Sequence, residues 1–186
     1  MHARSALARI EELIVQNAPS YVTAMKIREP VFCLRIWYFG GDCLPGERAP
    51  MLMLPTDSLR QSILKQHGKQ APHYLWCADE FDLGSVDRTQ LDVPELVSLC
   101  DQWIDELENA HSLPAGPGGM TPLRETVQRA AKRLNKLDWS AFAPVTPDFV
   151  VFAADGTHDF CDDIGEMQAS VSAEHISDFR ARGLLK

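Results

Sequence analysis

The spacing of apolar side chains along the first third of the chain predicts a helix followed by two strands. Apolar residues recur with the helical period between Ser5 and Gln16, and the sequence Asn17-Ala-Pro is predicted to end that helix. The segment "PVFCLRIWYFGG" is rich in β-branched and aromatic residues, which predicts a strand that is apolar on both faces except at Arg35. The segment "PMLMLP" predicts a second strand that pairs antiparallel with the first.

Capping residues and apolar stripes predict the elements of the middle third. Thr56 or Asp57 is predicted to cap a helix that ends at Gly68, and "HYLWCADEF" is predicted to be a third extended segment. The segment "LDVPELVSLCDQWIDELENA" predicts a strong amphipathic helix, in which Asp92 and Glu95 form a capping box.

The last third predicts a loop, a basic helix, a strand and a terminal helix. Prolines and glycines in "HSLPAGPGGM" predict a flexible loop over about residues 112–120. The helix that begins at Thr121-Pro122 contains most of the positive charge of this region, and "DFVVFAAD" predicts a last buried strand. Ser172 is predicted to cap the final helix, which ends at Gly183.

The order of these elements predicts the fold class. Strands and helices do not alternate in repeated β-α-β units, and no internal repeat or domain boundary divides the chain. We therefore expect one α+β domain over residues 1–186, in which helices pack on a small, largely antiparallel sheet.

Composition and charge narrow the class of partner. The chain has 186 residues, a net charge of −8 and a pI near 5.2. Nucleic acids and anionic membranes require a surplus of lysine and arginine on one face of a protein, so neither is expected as a partner. A basic protein partner fits this charge, whereas the oligomeric state is not encoded in the sequence.

The chain lacks the patterns of exported and membrane-spanning proteins. Glu11 and Glu12 interrupt the apolar stretch near the N-terminus, and no apolar run approaches the length of a membrane span. The five cysteines are scattered, which predicts reduced thiols rather than a disulfide framework. Cys33, Cys77 and Cys100 have apolar neighbours and are predicted to be core residues. A cytoplasmic location is therefore expected.

Acidic residues cluster in a way that predicts a protein–protein interface. Between residues 79 and 108 ten acidic residues occur against Arg88 alone, and eight acidic residues with no lysine or arginine occur between residues 148 and 178. A tryptophan beside the first acidic segment is suited to anchoring a partner. The predicted interface consists of Trp76, Asp79, Glu80, Asp82, Asp101, Asp105 and Glu108. The alternative is a solvated acidic face that serves only solubility.

The stretch "FAADGTHDFCDD" at residues 152–163 is the candidate for catalytic or metal chemistry. It contains His158, Asp159, Cys161, Asp162 and Asp163. Their spacing fits neither a zinc site nor an EF-hand, and no signature of a cysteine nucleophile or a phosphate loop accompanies them. A turn followed by a helix that an aspartate caps is the expected structure. The sequence therefore predicts no catalytic residue, no metal and no cofactor, and an enzyme that uses this cluster with a divalent metal stays the alternative.

Four stretches in order resemble a family of uncharacterised bacterial proteins of similar length. They are "VFCLRIWYFGGD", "PMLMLPTDSLRQSIL", the tryptophan-centred "HYLWCADEF", and "DFVVFAADG" with a helix after it. Arg35 and the "DCLPGERA" loop depart from the family's pattern. The resemblance implies a compact α+β domain without an established activity, and proteins of this type are loosely associated with immunity to bacterial toxins.

These observations favour a binding protein over an enzyme. The leading hypothesis is a small acidic binding module of the immunity type, which neutralises a basic toxin by occluding it. The carboxylates between residues 79 and 108 would then imitate the negative substrate of a toxin such as a nuclease. A housekeeping protein whose acidic surface has no partner is the second alternative beside the enzyme.

Overall fold

The computed structural model describes residues 3–38, 44–76, 86–109, 121–155 and 163–186. The helices are α1 (Ala3–Ala24), α2 (Asp57–His67), α3 (Ala71–Trp76), α4 (Pro94–Asn109), α5 (Thr121–Leu134), α6 (Asp163–Ser170) and α7 (Ala173–Ala181). The strands are β1 (Val31–Tyr38), β2 (Met51–Leu54), β3 (Asp87–Gln90) and β4 (Val145–Asp155).

The four described strands form one mixed sheet in the order β3-β2-β1-β4. Strand β2 pairs antiparallel with both β1 and β3, whereas β1 and β4 run parallel. Arg35 of β1 lies opposite Met53 on one side and opposite Phe152 on the other, which fixes the register. The predicted α+β domain with a largely antiparallel sheet is confirmed, as is the antiparallel pairing of β1 with β2.

Helices cover both faces of the sheet. One apolar cluster joins α1, α4 and α5 to side chains such as Leu34 and Ile36 of β1. A second cluster joins α2, α3 and the C-terminal helices to the opposite face, which includes Phe32 and Trp37. All eight residues of β1 are buried because apolar layers lie on both sides, as the near-continuous apolar run predicts.

The structure corrects the predicted end of the first helix. Helix α1 continues through Pro19 to Ala24 instead of ending at Asn17. Proline inside a helix is unfavourable by about 3 kcal/mol, because it removes one hydrogen bond and crowds the preceding turn. Ala18 and Val22 are nevertheless completely buried, so the apolar face continues past the proline. Packing of α1 against α4 and α5 outweighs the local penalty.

A second correction concerns the segment "HYLWCADEF". Its first four residues belong to helix α3 rather than to an extended segment, and residues 77–81 lie outside the described part of the chain. The aromatic residues that favour a strand here are held in the helix by tertiary contacts. The Trp76 ring packs against Phe152 and Phe179, and its Nε1 donates to the Leu184 carbonyl oxygen at 2.6 Å.

Strand β3 was not predicted at all. Its sequence, Asp-Arg-Thr-Gln, has no apolar residue and so gives no strand signal. Leu52 of β2 lies opposite Thr89, and within the described residues β3 forms an edge of the sheet. Charged side chains are common on such edges because they discourage pairing with other chains.

Local capping signals were correct at two helices and wrong at a third. Thr56 and Ser172 each accept a hydrogen bond from a backbone N–H three residues later, and Gly68 and Gly183 have the positive φ angles that favour glycine after a helix. The capping box of α4 does not form, because that helix begins at Pro94. Its proposed member Glu95 instead binds Arg9 of α1.

No helix in the described part of the chain has the length and apolar character needed to cross a membrane. Cys33 and Cys100 are buried free thiols, as their apolar neighbours predict. Cys77 lies outside the described residues.

Candidate functional site

Helix α4 contains the part of the predicted interface that the structure describes best. Its buried face consists of Leu96, Leu99, Cys100, Trp103 and Ile104, as predicted from the apolar stripe. Asp101, Asp105 and Glu108 occupy positions i, i+4 and i+7, which place them along one side of the helix. Glu106 is exposed beside them. We call Asp101, Asp105, Glu106 and Glu108 the acidic end of α4.

The loop before β2 lies against this acidic end. The Gly46 backbone N–H donates to both carboxylate oxygens of Asp101, at 3.1 and 3.0 Å. Arg48 donates to Asp105 Oδ1 at 2.5 Å and to the Asp101 carbonyl oxygen at 3.4 Å. The Arg48 side chain is only 6% exposed, whereas that of Asp105 is 56% exposed. The acidic end therefore binds one arginine of its own chain and still presents carboxylate surface to solvent.

Sequence reasoning missed Arg48, because its partner Asp105 lies 57 positions later and no local pattern connects them. The "DCLPGERA" segment has the composition of an ordinary loop. Leu44 in the same loop is 68% exposed and lies two residues before Gly46. Singly exposed leucines are common on protein surfaces, so Leu44 alone does not mark an interface.

Trp76 does not belong to an accessible interface. The side chain is 2% exposed and lies among the aromatic residues of the second core cluster. Its only polar side-chain atom, Nε1, donates to the Leu184 carbonyl oxygen, so both the ring and its polar atom have partners inside the core. Asp79, Glu80 and Asp82 lie outside the described residues, and of Glu108 only the backbone is described.

Two described acids of the segment from residue 148 to 178 are paired with arginines inside the fold. Asp148 accepts hydrogen bonds from Arg60 and Arg182, each at 2.8 Å. Glu166 is completely buried and forms an ion pair with Arg124, and Gln128 donates to it at 2.7 Å. These two carboxylates therefore add less to the charge that a partner would meet than their presence in the sequence suggests.

The basic helix α5 is likewise paired with acids of another helix. Arg129 and Arg133 donate to Glu11 of α1 at 2.8 and 3.2 Å, and Arg133 also donates to Glu12 at 2.9 Å. The hydrogen bond from Arg133 holds the pKa of Glu12 below its ordinary value. Similarly, the hydrogen bonds from Arg9 lower the pKa of Glu95 at the start of α4. These pairs join α1 to the two helices packed against it.

The predicted catalytic or metal cluster falls mostly outside the described residues. His158, Asp159, Cys161 and Asp162 lie between β4 and α6, and Asp163 is the first residue of α6 with only its backbone described. The helix predicted after this stretch is present. Within the described ranges no group of three or more histidine, cysteine or acidic side chains is placed to hold a metal ion. The enzyme alternative stays a prediction.

Ser172 and His175 form a serine–histidine contact, but its geometry is that of a helix cap. Ser172 Oγ lies 2.9 Å from His175 Nδ1 and accepts the His175 backbone N–H at 3.3 Å. A nucleophilic serine needs a base that a third group orients, and no hydrogen bond between His175 and a described carboxylate supplies one. This pair therefore gives no support to a hydrolase.

Comparison with known proteins gives no relative, since no family model, curated protein or solved structure matches the chain. The resemblance to a bacterial family stays a prediction for the same reason. The function must be argued from the surface and the charges of the chain itself.

Proposed function

We propose that the protein is a small binding module that recognises a basic protein partner through the acidic end of α4. The observation that supports the proposal best is that three acidic residues, Asp105, Glu106 and Glu108, occur among the last five residues of this helix, with Asp105 and Glu106 exposed. The helix has no lysine or arginine among its sixteen residues. Among the described side chains of this group, Asp105 forms an ion pair with Arg48.

This placement is unfavourable for the helix alone. The C-terminus of a helix has a partial negative charge, so each acid there costs about 0.3–1 kcal/mol relative to a neutral residue. Like charges at adjacent positions on one helix surface add to the penalty. A partner with lysine and arginine side chains would relieve both effects on binding.

The chemistry of the partner follows from what already binds there. Arg48 shows that Asp105 accepts a guanidinium group in the folded protein, and Asp105 remains 56% exposed while doing so. The exposed Leu44 would add an apolar contact beside the charges. A basic surface with an apolar residue at its margin would match this arrangement.

Neutralisation of a toxin is the form of binding that we propose. A nuclease binds its substrate through lysine and arginine side chains, and carboxylates placed on that surface would occupy the positions of the phosphates. Electrostatic attraction would speed the encounter, which is useful for an inhibitor. Such a protein acts by occlusion and needs no catalytic residue of its own.

The test compares two pairs of charge-neutralising substitutions in the tagged full-length chain. Glu106→Gln with Glu108→Gln alters the acidic end, whereas Glu125→Gln with Glu174→Gln removes two exposed acids of α5 and α7. The proteins that each chain retains from a lysate of its own host are quantified by mass spectrometry at low and high salt.

We expect one basic protein at near-equal amount with the unaltered chain, and less of it at high salt because the charges are exposed. The first pair should reduce its recovery by about threefold to tenfold, since exposed charge pairs contribute about 0.2–1 kcal/mol each. The control pair should retain it fully. Equal recovery with both pairs, or no basic partner at either salt, would contradict the proposal.

A further inference from the structure

A cavity lined by two lysines lies on another part of the molecule. A cavity of about 410 Å³ opens where the end of α5, strand β4 and the junction of α6 and α7 meet. Pockets for small molecules have volumes of about 300–1,000 Å³, so this cavity is large enough for a small organic ligand. None of the described side chains of helix α4 lines it.

The wall formed by α5 is positively charged. Lys132 in the last turn of α5 and Lys136, two residues after the helix ends, both line the cavity and are both exposed. The arginines of α5 are paired with acids of α1 and α6, but no described carboxylate forms an ion pair with either lysine. None of the described residues that line the cavity is acidic.

The opposite wall contains a histidine. Ser172 Oγ lies 2.9 Å from His175 Nδ1 and accepts the His175 backbone N–H at 3.3 Å. Either atom of the side-chain contact can be the donor, because a hydroxyl oxygen can accept two hydrogen bonds. His175 lines the cavity, and its ring can donate to a bound anion from Nε2 when the proton is on that nitrogen.

The floor of the cavity is apolar. Phe149 is partly buried and packs at a tilt on Trp139, with ring centroids 5.7 Å apart, and Val171 is 7% exposed. Both residues line the cavity between the two polar walls. An aromatic or aliphatic group would remove this apolar surface from water, while a negative group at the rim would meet the lysines.

We propose that this cavity binds a small organic anion, with a carboxylate or phosphate group between Lys132, Lys136 and His175 and an apolar body on Phe149 and Val171. Such a ligand matches the cavity in two ways, because its charge meets the lysines and its apolar body covers the floor. An inorganic anion would contact only the charged walls, and an uncharged apolar molecule would contact only the floor. The site is independent of the acidic end of α4, and either can exist without the other.

The test is a titration of the ¹⁵N-labelled full-length chain followed by ¹H–¹⁵N NMR at low ionic strength. The probes are phenylacetate and phenyl phosphate, which have the same ring and different anionic groups, and phenylacetamide, which is a neutral analogue of the first. The variants are Lys132→Gln with Lys136→Gln, and the control pair Lys65→Gln with Lys69→Gln. The control lysines are also exposed and also lie four positions apart.

We expect both anions to give saturable shifts of backbone amides around Lys132, Phe149 and His175, and phenylacetamide to bind at least about tenfold more weakly. The Lys132 and Lys136 variant should lose about tenfold in affinity for the anions, and the control variant should lose none. If phenyl phosphate binds and phenylacetate does not, the site is specific for phosphate esters. If both bind, the site accepts organic anions in general. Equal binding of phenylacetamide, unchanged affinity in the double variant, or no saturable shift with either anion would overturn the proposal.

Discussion

At the scale of single residues, two buried thiols show how the core sets reactivity. Cys33 and Cys100 are completely buried, and burial raises the pKa of each thiol to about 12. Arg35 acts in the opposite direction on Cys33 but does not outweigh the loss of solvent. Because the thiolate is the reactive form, only about one thiol in 10⁵ is ionised at pH 7.

We therefore predict that neither thiol reacts with iodoacetamide in the native protein at neutral pH. Peptide mapping by mass spectrometry after native labelling should find Cys33 and Cys100 unmodified, and labelling in denaturant should modify both. Modification of either residue under native conditions, at a rate near that of the denatured chain, would show that the core opens far more often than its packing implies.

Residues whose role depends on near neighbours were the predictable ones. The apolar neighbours of Cys33 and Cys100 lie within a few positions along the chain, so their burial could be inferred from the sequence. Arg35 was only partly predictable. The strand around it indicated two buried faces, but the carbonyl oxygen of Leu75 that accepts its Nη2 at 3.0 Å lies 40 positions away.

At the scale of elements, Asn135 joins three of them. Its Nδ2 donates to the Val151 carbonyl oxygen at 2.7 Å, and its Oδ1 accepts the Val151 N–H at 2.7 Å. The same Nδ2 also donates to the Ser170 carbonyl oxygen at 3.2 Å. The amide group thus takes the place of a neighbouring strand at β4, and it holds the end of α5 and the end of α6 to that strand.

We predict that Asn135→Ala lowers the free energy of unfolding by about 2 kcal/mol, because it removes three hydrogen bonds and leaves two backbone groups of Val151 without this partner. Denaturant unfolding measures the loss. The Val151 amide should exchange with solvent faster than the loss of global stability alone explains. The exchange of the Leu52 and Met53 amides of β2 should change only as much as that loss predicts.

Gln102→Ala is the matched control for this substitution. Gln102 also has an amide side chain, but it donates only to Ser98 Oγ within helix α4, at 3.0 Å. Its replacement should change stability by less than about 0.5 kcal/mol. If the Val151 amide exchanged at the same rate in Asn135→Ala as in the unaltered protein, the hydrogen bonds of Asn135 would not be needed to protect strand β4.

The elements themselves were predictable where a local pattern determines them. Strand β1 has a continuous apolar run, and Thr56 and Ser172 cap their helices through groups three residues away. Strand β3 has no such pattern, since its polar residues are ordered by pairing with β2. Helix α1 continues past Pro19 for a similar reason, because its contacts with other helices exceed the penalty that the local sequence predicts.

At the scale of the whole molecule, ion pairs connect segments that look strongly charged in the sequence. Arg60 of α2 and Arg182 after α7 both bind Asp148 of β4, so a single carboxylate joins three elements on one face of the sheet. Arg60 also binds Asp57 and lies over the Phe32 ring, 5.2 Å from its centroid. The Asp148 side chain is 13% exposed, which limits screening by solvent.

The pKa of Asp148 is lowered from its ordinary value of 3.8. Burial opposes ionisation of this carboxylate, but Thr146, Arg60 and Arg182 together outweigh that effect. A carboxylate with a lower pKa in the folded state stabilises the fold above its unfolded pKa. That contribution is lost as the pH falls from about 4 through the lower folded pKa.

We predict that Asp148→Asn lowers the free energy of unfolding by about 2–4 kcal/mol at pH 7, because Arg60, whose side chain is 10% exposed, would lose its less exposed carboxylate and keep only Asp57 as a partner. The difference from the unaltered protein should shrink as the pH falls below about 4, since protonated aspartate and asparagine are then both neutral. Urea unfolding at a series of pH values measures both effects.

Asp178→Asn separates the buried network from surface charge. Asp178 binds the same Arg182 at 3.0 Å, but its side chain is 52% exposed and the pair lies within one turn of helix. Its loss should therefore cost less than about 0.5 kcal/mol at any pH. If Asp148→Asn lowered the free energy of unfolding as little as Asp178→Asn does, apolar packing alone would hold α2, β4 and α7 together. A large and pH-dependent difference between the two variants would instead show that one buried carboxylate joins these elements.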